Sequence, residues 1–156
     1  MKHTIKMLMI STSFLIMSVD ALAHDQGGTL GLVSKGVITA PQSATDYYQV
    51  SCYDDGNGPA NYLEFSVSAI KPSTGATAGQ VVNAQVIKGY KILNTSDNAD
   101  TDAKYSPEII AQWGNGSYMV MINKTKVGLE NYTFAYHCMT ADNAHTGTDI
   151  LPLQNQ

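Results

Sequence analysis

Apolar and polar residues alternate along most of the chain, and the alternation predicts strands. Residues 62–70 are the clearest case. Leu63, Phe65, Val67 and Ala69 fall on one face and Glu64, Ser66 and Ser68 on the other, the two-residue period of a strand with one buried side. Residues 47–53 follow the same rule, so an inward Cys52 brings Val50 and Tyr48 with it. Residues 81–93 read as a strand with Val82, Ala84 and Val86 inward, and residues 29–34, 106–113, 117–123 and 131–139 complete the set. Turn chemistry separates them at Asp54-Asp55-Gly56-Asn57-Gly58-Pro59 and at Gly114-Asn115-Gly116. Residues 71–79 and 94–104 read as polar loops, and the tail from Thr140 is polar until Ile150 and Leu151. No stretch sustains a helical period, since Gly114 ends the one short candidate, 108–113. Seven or eight short strands with these spacings predict an all-β fold: a single antiparallel β-sandwich, Ig-like or jelly-roll-like.

The first residues carry a different pattern. Lys2, His3 and Lys6 precede an apolar stretch over 7–19, and Ala21-Leu22-Ala23 supplies small residues where a signal peptidase reads. This predicts a cleavable signal peptide over 1–23, a single β-sandwich domain over 24–156, and a periplasmic or secreted destination. The apolar stretch is shorter than the ~20 residues that span a bilayer, and no later run approaches that length, so no transmembrane segment is expected in the mature chain.

Export changes the reading of the two cysteines, Cys52 and Cys138. An even count in an oxidising compartment predicts one disulfide closing a loop of about 85 residues. Two separate buried thiols or a thiolate metal site are the alternatives. The formal net charge is −4. Beyond residue 23 there are seven scattered lysines and no arginine, so a nucleic-acid partner is not expected, because reading phosphates takes clustered cations. No Gly-x-Ser-x-Gly elbow, His-Glu-x-x-His, CxxC or P-loop occurs, so no enzyme class is indicated.

Gly116-Ser117-Tyr118-Met119-Val120-Met121-Ile122 followed by Asn131-Tyr132-Thr133-Phe134-Ala135-Tyr136 resembles the last hairpin of bacterial pre-peptidase C-terminal domains. The resemblance covers residues 105–139 and implies a secreted β-sandwich with an accessory, adhesive or binding role and no catalytic residues. Tyr136-His137-Cys138 is similar to the tyrosine corner of immunoglobulin domains, although Trp113 falls on the wrong strand for that family.

The sharpest chemical candidate follows from the leader. Cleavage after Ala23 makes His24 the first residue. A histidine at a free N-terminus offers two nitrogens, the α-amine and ring Nδ1, and the amine's pKa of ~7.7–8 lets a metal displace its proton near neutrality. With a second imidazole this set suits copper(II), and it resembles the histidine brace of secreted copper proteins. The partner must be His137 or His145. Inward Tyr136 and Cys138 turn His137 outward, and pairing 117–123 against 131–139 would bring Met119 and Met121 to the same face as soft ligands for copper(I). A weaker pattern, Asn98, Asp100 and Asp102, has the alternate oxygens of a calcium loop. It lacks the turn glycine and has Ile109 in place of the closing Glu, so a solvated acidic loop is expected.

The sequence therefore predicts an exported β-sandwich that binds copper through His24 with His137 or His145. The alternatives are a metal-free module binding protein or glycan, a subunit of an extracellular assembly, or, ranked last, a copper oxidative enzyme.

Overall fold

The computed structural model describes residues 24–156; the leader expected over 1–23 lies outside the described residues. Eleven strands follow in order: β1 (Asp25–Leu30), β2 (Leu32–Ser34), β3 (Val37–Thr39), β4 (Thr45–Tyr53), β5 (Tyr62–Ile70), β6 (Val82–Lys88), β7 (Lys91–Asp97), β8 (Ile109–Ala111), β9 (Gly116–Lys124), β10 (Glu130–Met139) and β11 (Gly147–Gln154). One sheet has the order β1-β10-β5-β8, the other β11-β4-β9-β6-β7, and β2 and β3 form a separate hairpin. The strand pairs within them are antiparallel. This is the expected all-β sandwich. No helix among the described residues is long and apolar enough to cross a membrane.

The inward positions are those the alternation predicts. Tyr48, Val50 and Cys52 of β4, Leu63 and Phe65 of β5, and Val82, Ala84 and Val86 of β6 are all buried. Facing side chains of the two sheets fill the space between them, the arrangement that removes most apolar surface from water. Cys52 on β4 and Cys138 on β10 form a disulfide with a Cα–Cα distance of 5.5 Å, tying one sheet to the other. The core also holds a polar thread. The Tyr132 hydroxyl donates to fully buried Asp46, and the Tyr48 and Tyr132 hydroxyls lie 2.6 Å apart.

Several boundaries differ from the sequence reading, each for a local reason. The strand expected over 29–34 breaks at Gly31, whose φ of +120° suits glycine alone. A Cβ there would collide with Ala40. The chain thus leaves the sheet after β1 and starts the β2–β3 hairpin. The strand expected over 81–93 is two strands joined at Gly89-Tyr90, with Gly89 at φ +60°, a position where tight hairpins favour glycine. Residues 94–97 belong to β7 and not to a loop. Asp97 turns inward there and accepts the Ala69 amide at 2.7 Å. The polar tail forms β11, an edge strand paired with β4. It needs few apolar residues because most of its side chains are exposed.

The largest correction concerns β9 and β10. They do not form a hairpin with each other. Residues 125–129 carry the chain from one sheet to the other, so β9 lies between β4 and β6 and β10 between β1 and β5. The apolar faces of both strands, Tyr118-Val120-Ile122 and Tyr132-Phe134-Tyr136, meet across the core. Edge-to-edge pairing would have set them side by side. Met119 and Met121 consequently sit on the outer face of the five-stranded sheet, paired with Gln49 and Tyr47, away from His137.

Candidate metal centre

β10 has two edges. β5 covers one over its whole length, from Asn131↔Ile70 to Met139↔Tyr62. The other edge is shared. β1 runs along it from Leu30↔Glu130 to Asp25↔Ala135, and the Tyr136 amide donates to the His24 carbonyl at 3.1 Å. A glycine helps β1 lie close. At Gly28 a Cβ would collide with the Tyr132 ring. Beyond Tyr136 the same edge is taken by the returning chain. A tight turn over 140–144 reverses it: the Thr140 amide donates to Ala144 at 2.8 Å and the Asn143 amide to Thr140 at 3.2 Å. His145 then bridges Met139, and the Thr146 amide donates to Cys138 at 2.9 Å. The edge therefore changes partner at His137, with His24 ending one segment beside it and His145 starting the next.

This junction brings all three sequence-predicted histidines together. Each offers one ligand nitrogen, and the three lie within 4.8 Å of one another. The His137 and His145 ring centroids are 4.7 Å apart and edge-on, and those of His24 and His137 are 6.1 Å apart. Nitrogens bound at ~2.0 Å to one ion sit roughly 3–4 Å apart, so small side-chain rotations close the set onto a metal. Nδ1 of His24 and Nδ1 of His137 are buried and have no hydrogen-bond partner. Buried polar atoms are normally paired, and an imidazole lone pair without a donor is what a cation would use.

The electrostatics favour neutral imidazoles. Burial, followed by the neighbouring His145 and His24, holds His137 below the ordinary histidine range, with Asp25 pulling weakly the other way. Burial and then His24 lower His145. Both rings thus present free lone pairs at neutral pH, so a metal need not displace protons from them. The backbone of residue 24 lies just ahead of β1, beside the same stretch of β10.

Three neighbours support the cluster. The Tyr136 ring packs 5.7 Å from the His24 ring. Asp25 adds negative charge and accepts the Tyr105 hydroxyl at 3.3 Å. The disulfide at Cys138 fixes the backbone next to His137. The disulfide and the inward Tyr136 were legible in the sequence; the Tyr105 contact with Asp25, across two distant segments, was not. The methionines expected as soft ligands are on the opposite sheet and take no part. The calcium-like run does not assemble either: Asn98 is exposed, and Asp102 accepts the Lys104 amide at 3.1 Å and pairs with its ammonium at 3.7 Å. Asp100 behaves differently and turns partly inward.

No protein-family model, curated protein or solved structure matches this chain.

Proposed function

We propose that the chain is exported, trimmed to His24, and binds one copper ion through the His24 amine and imidazole together with His137 and His145, as a carrier or buffer. One observation carries the reading. Three histidines from three separate segments converge within 4.8 Å, and two of them hold buried ring nitrogens without partners. An all-nitrogen set of this kind favours copper(II), the strongest binder of its row.

The test is a copper(II) titration of protein beginning at His24, compared with His24→Ala and with a chain that keeps one residue ahead of His24. Wild type should bind about one ion at submicromolar strength. Loss of even an outer partner of a metal ligand costs 10–100-fold in affinity, so each altered chain should weaken by at least about tenfold. Equal binding by all three retires the reading.

A second reading rests on the β2–β3 hairpin, where Leu32, Val33, Val37 and Ile38 are all exposed. A separate apolar hairpin is a natural contact for another protein. It supports a metal-free binding module or an assembly subunit, and becomes the leading reading if copper binding fails.

A further inference from the structure

Among the described residues, five buried side-chain atoms have no hydrogen-bond partner: Nδ1 of His24 and of His137, Oδ2 of Asp100, and both carboxylate oxygens of Glu130. The two nitrogens belong to the histidine cluster. The three oxygens lie at the other end of the sandwich, where β10 begins. Glu130 pairs with Leu30 of β1 and is fully buried. Of the surrounding charges, Asp100 acts on it most strongly, followed by Lys124, Lys71 and Asp97.

Lys124 and Lys71 offset part of the charge, but none of these neighbours donates a hydrogen bond to the pair. The Lys124 ammonium spends its donors on the carbonyls of Ala40, Pro41 and Lys126. Lys71 makes no salt bridge among the described residues. Asp97 uses both oxygens on the amides of Ala69 and Ala99. The backbone brings the two residues to one end of the sheet, since the Lys71 amide donates to the Asp100 carbonyl at 2.9 Å and Asn131, next to Glu130, pairs with Ile70, next to Lys71; between them they hold three buried oxygens with nothing donating to them. Burying charge in this way is costly unless a cation or a proton compensates. Asp100 also lines an open cavity of about 310 Å³ with Ala69, Ile70, Lys71, Thr101 and Ala103, which brings solvent to the Asp100 side of the pair; Glu130 lies behind it.

We propose that Glu130 and Asp100 are the anionic ligands of a calcium site at this end of the sandwich. The donor set is oxygen only, which selects hard cations over copper or zinc. Glu130 can bind through two oxygens and Asp100 through one, with loop carbonyls and water completing the six to eight oxygens calcium takes. Magnesium is a poorer fit, because it demands a tight octahedron and keeps its waters. The site replaces the alternate-oxygen run: only Asp100 of that run serves, and its partner comes from a strand distant in sequence.

Thermal unfolding of the purified chain in chelator, in calcium and in magnesium tests this. Extracellular calcium modules bind with dissociation constants of ~10⁻⁴–10⁻³ M. Several millimolar calcium should therefore raise Tm by a few degrees and saturate, with a smaller effect from magnesium. Glu130→Gln and Asp100→Asn should each abolish the calcium shift while still binding copper at the histidines. A wild-type Tm that ignores calcium up to roughly ten times that range overturns the proposal and assigns the pair a shared proton instead. So does a calcium shift that survives in Glu130→Gln. Failure here leaves the copper reading untouched, since the two sites share no residue.

Discussion

Glu130→Gln makes a prediction that runs against the usual effect of altering a buried residue: without calcium, and above neutral pH, the variant should be more stable than wild type. Burial first, and then the Asp100 charge, push the Glu130 carboxyl up to about 7 from the ordinary 4.5. The raised value means the folded state holds the proton more tightly than the unfolded chain. Its contribution is complete below about pH 4.5 and is lost as pH rises through about 7. At 1.36 kcal/mol per pH unit, the gap is worth about 3 kcal/mol across that window. For a chain of this size that is on the order of 10 °C in Tm. Glutamine has nearly the same shape and cannot ionise, so it should flatten the profile. Other groups titrate nearby. His137 and His145 are lowered, which makes stability rise with pH just below 6.5, and Asp46 is raised by its burial. These are common to both proteins and cancel in the difference. The assay is urea denaturation at intervals from pH 4.5 to 8 in chelator, taking wild type minus variant at each pH. A difference that stays constant across the window refutes the argument, and with it the claim that Glu130 is a buried acid that lacks a hydrogen-bond donor.

Two further outcomes follow from the same geometry. Replacing Cys52 and Cys138 by serine opens a loop of sequence separation 86, and chain entropy puts the loss at about 4–5 kcal/mol; urea midpoints of the variant and of reduced wild type should fall together. Copper(II) binding near pH 7 should release about one proton per ion, from the His24 amine, because the lowered His137 and His145 are already neutral there; calorimetry in buffers of different ionisation enthalpy measures it, and a release near zero argues for a site made of imidazoles alone.

The inward faces were legible in the sequence because period-two alternation answers to burial, and burial is what both sheets provide for Val50, Phe65 or Val86. Partner choice was not legible. Whether β9 pairs with β10 or crosses the core from it depends on the path of residues 125–129, and alternation looks the same in either case. That is why the methionines were expected beside His137 and lie on the other sheet. Edge strands were the second gap. β11 carries Ile150, Leu151 and Leu153, but Leu151 and Leu153 are exposed and only Ile150 packs against the core, so no alternation marked it as a strand. The three histidines were legible as residue types and as one position, the start of the trimmed chain. Their convergence was not, since it depends on the edge of β10 changing partners at residue 137. Glu130 left no local trace at all: its significance comes from Asp100, thirty positions earlier, folding against the end of β10.

β1 is where these features meet. It is an edge strand with two glycines among its six residues and contacts few core side chains beyond Leu30. Little intrinsic preference holds such a segment in place. Yet its two ends coincide with the two sets of unpartnered polar atoms. At one end Leu30 pairs with Glu130; at the other the His24 carbonyl takes the Tyr136 amide beside His137. Glu130 and His137 are seven residues apart on one strand, roughly 23 Å at 3.3 Å per residue, too far for either cation to act on the other directly. A cation at each end would therefore secure a weak strand at two independent points, and a polar inventory that looks costly in the bare chain becomes the means by which metal binding and the docking of β1 reinforce each other. Affinity for copper then depends on how firmly β1 is docked, because an undocked β1 takes His24 away from the other two ligands.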